Sequence, residues 1–332
     1  LSLDESGRLL VTYPEPGRDV LSLEGHAGPV DSLVLSRDGE RLVSASSEGG
    51  SLRIWDVPTR REVVQLTGHS GEIHALAMSG DGSTIIAGCG ADEALVWMGD
   101  TLGATVTLPP LDKPANALAM SDDGAVLISS SILENVARVW DGHTGALRLT
   151  LPGHPIGVTS LGMSSDGQTL VSGSYDKHVR VWDGQTGEQR QLLVGHNSGI
   201  TSVAVDATGT LVISGSHDKT ARLWSTATGH TVKVFTGSRS PVTSVAIDGA
   251  GETLVAGSED GTVRLWHVPW GPPLVLRSGS WADDGTVSLS RDGSRVAWAS
   301  TREDLVLIWD TRDGRVVGRF TGTRSHVVAA VL

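Results

Sequence analysis

Short runs of alternating hydrophobic and polar residues follow one another along the chain, with turn residues between them. In residues 158–193 these runs read VTSLGMS, QTLVSGS, HVRVWD and EQRQLL. Alternation of this kind is typical of strands that bury one face. Asp166-Gly167, between the first two runs, favours a tight hairpin turn. The pattern therefore predicts a unit of four antiparallel strands, which we call a, b, c and d.

This unit recurs along almost the whole chain. Gly195-His196 follows Gly153-His154 by 42 residues, and a tryptophan near the end of strand c recurs at intervals of 42 or 43 residues. These tryptophans are Trp55, Trp97, Trp140, Trp182, Trp224, Trp266 and Trp309. A small sheet with two apolar faces is not stable alone, so neighbouring units must stack. A repeat of this length is typical of propeller blades, and the sequence thus predicts an all-β propeller.

Gly-His near the start of the unit and Trp-Asp at the end of strand c resemble the WD-repeat β-propeller family over nearly the whole chain. The resemblance implies two complete buried tetrads, namely His154, Ser172, Asp176 and Trp182, then His196, Ser214, Asp218 and Trp224. In such a tetrad the indole N–H needs an acceptor, a hydroxyl and an imidazole pass the hydrogen bonds on, and a carboxylate ends the series. Ser, His and Asp also form hydrolase triads. Their recurrence in successive blades favours a structural role, and no G-x-S-x-G motif is present.

The repeats predict seven complete blades, over about residues 26–67, 69–109, 111–152, 154–194, 196–236, 238–277 and 280–321. Residues 1–24 contain strands b and d but no strand c, and residues 325–332 align with a strand a. We therefore predict a composite closing eighth blade made by these two segments, because circular closure removes an exposed sheet edge. In its a position we expect the C-terminal strand rather than Leu1-Ser2-Leu3. The alternative is a seven-bladed ring with both termini peripheral.

Some blades depart from the tetrad. Ala87 and Ala256 stand at the serine position of the second and sixth blades, and Trp298 stands there in the seventh. Two interpretations of Trp298, and of Trp281 in the loop before it, stay open. Either these rings are aromatic anchors for a partner, or they fill the volume that His and Ser leave, which we favour.

Charge and composition argue against several classes of function. Lys plus Arg number 26 and Asp plus Glu 38, a formal net charge of −12. This balance disfavours nucleic acid or an anionic membrane as a partner. The single Cys89 excludes a disulfide framework and favours a cytoplasmic location. The 11 histidines are scattered without ligand spacing, so we expect no metal and no cofactor.

The resemblance implies a non-catalytic protein-interaction scaffold or sensor, and we expect no enzymatic activity. A protein or peptide partner should bind the face made by the b–c and d–a loops of a monomeric ring, because loops on a rigid frame tend to carry binding residues. The candidates, which differ between otherwise similar blades, are Tyr175, Lys177, Asn197, His217, Lys219, Arg239, Glu259 and Trp281. Residues of these types are also common in solvated turns that bind nothing.

Two other functions stay open. One is the sensory C-terminal region of a longer nucleotide-hydrolysing or kinase chain, although no P-loop pattern occurs in these residues. The other is an enzyme that uses the axial channel, as some unrelated propellers do. Such an enzyme would need converging polar or metal-binding residues on the innermost strands. The sequence instead places mostly apolar runs there, such as VDSLVLS and VTSVAID.

Overall fold

A computed structural model of the chain describes residues 2–3, 9–11, 21–23, 32–36, 40–46, 51–56, 59, 61–66, 73–89, 93–99, 103–109, 113–115, 117–131, 133, 135–269, 271–277, 285–299 and 305–321. Within these segments the chain forms only strands and their connections. None of the segments forms a helix of the length and hydropathy that crossing a membrane requires.

The N-terminal segment forms a small sheet of three strands. They are β1 (Ser2–Leu3), β2 (Leu9–Val11) and β3 (Leu21–Leu23), in the order β1-β2-β3. Leu9 pairs with Leu23, so strand b is hydrogen-bonded directly to strand d. This agrees with the prediction that residues 1–24 contain no strand c. Leu9 also pairs with Leu3, so β1 occupies the a position, and our expectation of the C-terminal strand there was wrong. The short connection from β1 to β2 lowers the entropic cost of that pairing; residues 325–332 lie outside the described residues.

The first three blades follow, each with four strands in antiparallel order. The first contains β4 (Ser32–Leu35), β5 (Arg41–Ser46), β6 (Ser51–Asp56) and β7 (Arg61–Leu66). The second contains β8 (Ile73–Met78), β9 (Thr84–Cys89), β10 (Glu93–Met98) and β11 (Ala104–Thr107). The third contains β12 (Ala117–Met120), β13 (Val126–Ser130), β14 (Ala137–Asp141) and β15 (Leu147–Leu151).

The fourth to seventh blades repeat this order. The fourth contains β16 (Val158–Met163), β17 (Thr169–Ser174), β18 (Val179–Asp183) and β19 (Gln189–Leu193). The fifth contains β20 (Ile200–Val205), β21 (Leu211–Ser216), β22 (Ala221–Ser225) and β23 (Thr231–Phe235). The sixth contains β24 (Val242–Ile247), β25 (Thr253–Ser258), β26 (Thr262–His267) and β27 (Leu274–Arg277). The seventh contains β28 (Thr286–Leu289), β29 (Arg295–Ala299), β30 (Leu305–Asp310) and β31 (Val316–Thr321). The prediction of an all-β propeller with seven complete blades is thus confirmed.

The core lies between neighbouring blades. Val171 and Val181 of the fourth blade cluster with Ile200, Val203 and Trp224 of the fifth. The two inner faces bury apolar area that neither blade could cover alone, which stabilises each by about 25 cal/mol per Å² of apolar surface removed from water. The outermost strand of each blade is the most exposed, with β19 burying only its last residue fully. Stacking between blades therefore holds the ring together.

The turns between strands a and b also join neighbouring blades. From the second blade to the seventh, a backbone N–H in each turn donates to the carbonyl of the equivalent residue in the next, over 2.9–3.2 Å. The residues in this series are Gly80, Asp122, Ser165, Ala207, Gly249 and Arg291. The series lines one end of the axial channel. The b–c and d–a loops lie at the other end, since strand b runs the length of the blade.

Candidate functional site

The fourth blade contains a continuous series of buried hydrogen bonds. Trp182 Nε1 donates to Ser172 Oγ over 2.9 Å, and that hydroxyl lies 2.8 Å from His154 Nε2. The other ring nitrogen, Nδ1, lies 2.9 Å from an Asp176 carboxylate oxygen. The series ties strand c to strand b and ties both to the loop that enters the blade.

The fifth blade repeats this arrangement. Trp224 Nε1 donates to Ser214 Oγ, which lies beside His196 Nε2, and His196 Nδ1 lies beside Asp218, each over 2.8 Å. The Asp218 carboxylate also accepts the backbone N–H of Asn197 over 3.0 Å, so the relay fixes the d–a loop.

The protonation states follow from burial. Burial lowers the pKa of His154 and of His196, although the aspartate beside each ring opposes this effect. Burial alone would raise the pKa of Asp176, but hydrogen bonds from His154 and Arg180 outweigh it and lower that pKa to about 2. A neutral imidazole that donates through Nδ1 to an ionised carboxylate and accepts the serine O–H at Nε2 satisfies the aspartate and the serine of each relay.

This geometry favours structure over catalysis. Ser172 and Ser214 are 0% exposed. A hydroxyl with no path to a substrate has no use as a nucleophile, so the resemblance to a hydrolase triad ends at the residue types. Over the described part of the chain, no group of three or more His, Cys, Asp or Glu residues is placed to hold a metal ion.

The remaining blades keep parts of the relay. Trp55 donates to Ser44 over 2.8 Å and Trp140 to Ser129 over 2.9 Å, so the indole keeps its acceptor in the first and third blades. In the second blade Ala87 at the serine position and Trp97 are both buried. His26 and His69, which align with His154, and Glu134, which aligns with Asp176, lie outside the described residues.

The sixth blade lacks the serine and histidine of the relay but keeps the arginine that pairs with the serine position in the fourth and fifth blades. Arg264 donates to Ser238 Oγ over 3.0 Å and to the carbonyl of Gly237 over 2.9 Å. Its guanidinium lies 3.5 Å from Asp260, which also accepts the backbone N–H of Arg239. The arginine thus bridges strand c and the d–a loop without a histidine. Sequence reasoning missed this contact of Arg264 with the loop.

The seventh blade replaces the relay by a hydrophobic ring. Trp298 stands opposite Leu307 on strand c and is 1% exposed. It belongs to the same buried cluster as Trp309. A ring buried to this degree fills volume and offers nothing to a partner, which agrees with the second interpretation of Trp298. Trp281 lies outside the described residues.

The candidate binding residues lie on the b–c turns and d–a loops. Tyr175, Lys177, Asn197, His217, Lys219 and Arg239 are exposed, and Glu259 is half-buried. The Tyr175 and His217 rings stack with their centroids 6.2 Å apart and their planes 11° apart, which joins the turns of the fourth and fifth blades. Ile156, 51% exposed on the same face, was missed by sequence reasoning. Its signal is an apolar residue where the next blade has Ser198.

The channel end at the a–b turns contains a cavity of about 240 Å³. Its apolar wall includes Met78, Met120 and Met163, each at the end of a strand a. Arg291 reaches from the seventh blade to Asp122 of the third and to Ser165 of the fourth, over 3.2 Å in each case. These contacts fix the arginine between blades. The residues that line the cavity show no nucleophile paired with a base.

Comparison with known proteins agrees with the geometry of the blades. The family model for the WD domain, G-beta repeat (WD40), matches residues 17–56, 60–97, 145–183, 187–225 and 229–267, together more than half of the chain. Each match ends at or next to the tryptophan of a strand c, in the first, second, fourth, fifth and sixth blades. No curated protein matches the chain at a significant level. Each matched repeat contains strand d of one sheet and strands a, b and c of the next, and the chain belongs to the WD40 repeat family.

Proposed function

We propose that this chain is a non-catalytic scaffold that binds a protein or peptide through the b–c and d–a loops of its fourth to seventh blades. Propellers of the WD40 family are generally protein-interaction scaffolds and typically non-catalytic. The choice of this face and of this kind of partner is our proposal. We further propose that the ring acts as a monomer.

The observation that carries the proposal is a constant frame under variable residues. Ser174, Ser216 and Ser258 each donate from Oγ to a carbonyl of the d–a loop of their own blade, over 2.9–3.0 Å. The residue that follows each serine differs, being Tyr175, His217 and Glu259. A frame that repeats while its exposed residues change is suited to recognising one particular partner.

The frame also lowers the cost of binding. The N–H of Asp176 and that of Asp218 each donate to the preceding serine Oγ over 3.1 Å, so both turns are held before a partner arrives. Loops that are ordered in advance lose less conformational entropy in the complex. An exposed aromatic residue and an arginine are the types that most often dominate binding energy, which points to Tyr175 and Arg239.

The test uses the whole chain and a partner isolated by cross-linking and then purified. The double variant Tyr175→Ala plus Arg239→Glu should weaken binding by about ten-fold or more and leave the melting temperature unchanged. The matched control, Gln168→Ala plus Gln185→Ala on the opposite face, should change neither quantity. Loss of binding in the control and not in the first variant would place the partner on the wrong face for this proposal.

A further inference from the structure

The b–c turns of the fourth and fifth blades contain lysine in a conformation that suits glycine. Lys177 has φ of 75° and Lys219 has φ of 70°, and they are the non-glycine residues with positive φ in the described part of the chain. In the sixth blade Gly261 stands at the equivalent position with φ of 72°. Glycine is therefore sufficient to form this turn, and it adopts the conformation without steric cost. Two adjacent blades nevertheless contain lysine at this position, where its Cβ makes the conformation less favourable than it is for glycine.

The two lysines flank an exposed aromatic pair. Each follows its ring residue by two positions, and the Tyr175 and His217 rings stack across the boundary between the blades. Ile156 lies close to the Tyr175 turn, because its carbonyl accepts the hydroxyl of Ser174 over 2.7 Å. With Arg239 on the next d–a loop, these residues form what we call the lysine patch, comprising Ile156, Tyr175, Lys177, His217, Lys219 and Arg239.

Acidic residues of the same turns do not neutralise the patch. The Asp176 carboxylate faces His154 and Arg180, and its side chain is 5% exposed. The Asp218 carboxylate faces His196 and accepts the N–H of Asn197, with its side chain 7% exposed. Among the described residues of these turns, Glu259 and Asp260 are the remaining carboxylates, both in the sixth blade, and Asp260 lies 3.5 Å from the Arg264 guanidinium. A chain with a net charge of −12 thus presents a local cationic surface with an apolar edge.

We infer that the lysine patch binds an acidic peptide segment of the partner. Asp and Glu side chains of that segment pair with Lys177, Lys219 and Arg239, and one of its apolar side chains packs on Ile156 and Tyr175. The overall negative charge repels acidic ligands elsewhere, so the patch selects both the ligand and its location. This inference rests on the proposed function, because it gives the chemical class of the partner for the same face.

The test measures binding of a fluorescein-labelled peptide of mixed Asp and Glu with one central Phe to the whole chain, by fluorescence anisotropy. Binding should weaken as salt is raised. The matched peptide with Asn and Gln in place of Asp and Glu should bind at least about ten-fold more weakly. Single-stranded DNA of equal charge is the third probe. Tighter binding of the DNA than of the acidic peptide would overturn the inference.

The glycine at the equivalent turn supplies the variant. Lys177→Gly plus Lys219→Gly should weaken binding of the acidic peptide about ten-fold, with an unchanged or higher melting temperature. Lys177→Arg plus Lys219→Arg keeps both charges and should keep the affinity. This result would show that the charges, and not the conformation of the turns, determine binding. Arg312→Gly, on an exposed turn of the opposite face, removes a charge without touching the patch and should leave the affinity unchanged.

Two results separate this inference from the proposed function. If the glycine pair binds the acidic peptide and the purified partner like the unaltered chain, the inference is wrong. If in that case Tyr175→Ala plus Arg239→Glu still abolishes binding of the partner, the proposed function stands without it. If the partner binds all of these variants equally, the proposed function itself is wrong.

Discussion

The fourth and fifth blades solve the same packing problem as the sixth and seventh by different chemistry. In the first pair, a buried indole, hydroxyl, imidazole and carboxylate form a complete series of hydrogen bonds. In the sixth blade Ala256 stands at the serine position and Arg264 bridges to the loop. In the seventh, Trp298 fills the position outright. A buried polar series is stable only when every buried member has its partner. The fourth and fifth blades therefore keep the series whole, and the sixth and seventh dispense with its serine and histidine.

The two pairs of blades show which member of the relay anchors the d–a loop of the binding face. Asp218 and Asp260 both accept a backbone N–H from the d–a loop over 3.0 Å, although only the first has a histidine beside it. Anchoring of the loop therefore survives loss of the relay. The histidine and serine add a link from the middle of strand b to the loop, and the sixth blade, with Ala256 at the serine position, lacks this link.

The largest effect should come from the buried rings. Trp182→Ala and Trp298→Ala should each lower the free energy of unfolding by about 3–5 kcal/mol, because both leave a large cavity in a closed core. Chemical denaturation measures both values, and Tyr175→Ala on the surface serves as the control, at under about 1 kcal/mol. A loss below about 1 kcal/mol for Trp298→Ala would contradict its role as a volume-filling replacement for the relay.

The second effect compares two aspartates. Asp176→Ala should cost about 3 kcal/mol, because it leaves the His154 N–H and the Arg180 guanidinium buried without their acceptor. Asp260→Ala should cost about 1 kcal/mol less, since Arg264 keeps its bonds to Ser238 and Gly237. Urea midpoints with unchanged slopes measure the difference. Equal midpoints for the two variants would show that the complete relay adds nothing over the arginine.

The sequence predicted the regular part of this comparison well. The tryptophan period and the alternating runs placed the strands of all seven blades, because each strand is specified by its own residues and its nearest neighbours. The resemblance to WD repeats implied the relay, and the donors and acceptors of its four side chains explain its order. What escaped prediction depends on contacts remote in sequence. Two chain ends aligned with one a position of the closing sheet, and only the structure shows that Ser2–Leu3 takes it.

The binding face was predictable in outline only. Turn positions identified the exposed residues, but the stacking of Tyr175 on His217 depends on the angle between two blades, which no local pattern contains. The left-handed conformation of Lys177 and Lys219 is instead a property of the b–c turn itself, because Gly261 adopts it in the sixth blade. A reader of the sequence sees Lys where the sixth blade has Gly261, and that single difference is the signal.

The third effect is a dependence on pH. Burial lowers the pKa of His154 and that of His196 in the folded chain. Below about pH 6.5 these histidines therefore bind protons in the unfolded chain more readily than in the folded chain. Stability is therefore lost as pH falls through that range. Asp176, with its pKa lowered to about 2, adds a further loss between about pH 4 and pH 2.

The pH effect is measured by urea denaturation at pH 7.5 and 5.5. His154→Gln plus His196→Gln should be less stable at pH 7.5 but should lose less on acidification than the unaltered chain. An equal loss in both proteins would mean that the relay histidines are not held neutral in the folded state.

The smallest effect compares the b–c turns of the fifth and sixth blades. Lys219→Gly should leave the free energy of unfolding unchanged or raise it by up to about 1 kcal/mol, since glycine relieves the left-handed conformation but adds entropy to the unfolded chain. Gly261→Lys, with φ of 72°, should lower it by about 1 kcal/mol for the same reasons in reverse. Both substitutions change one residue of one turn, so their denaturation midpoints can be compared directly. If Gly261→Lys leaves the free energy of unfolding unchanged, lysine adopts this turn conformation without strain. The presence of Lys177 and Lys219 then no longer argues for a role of their side chains.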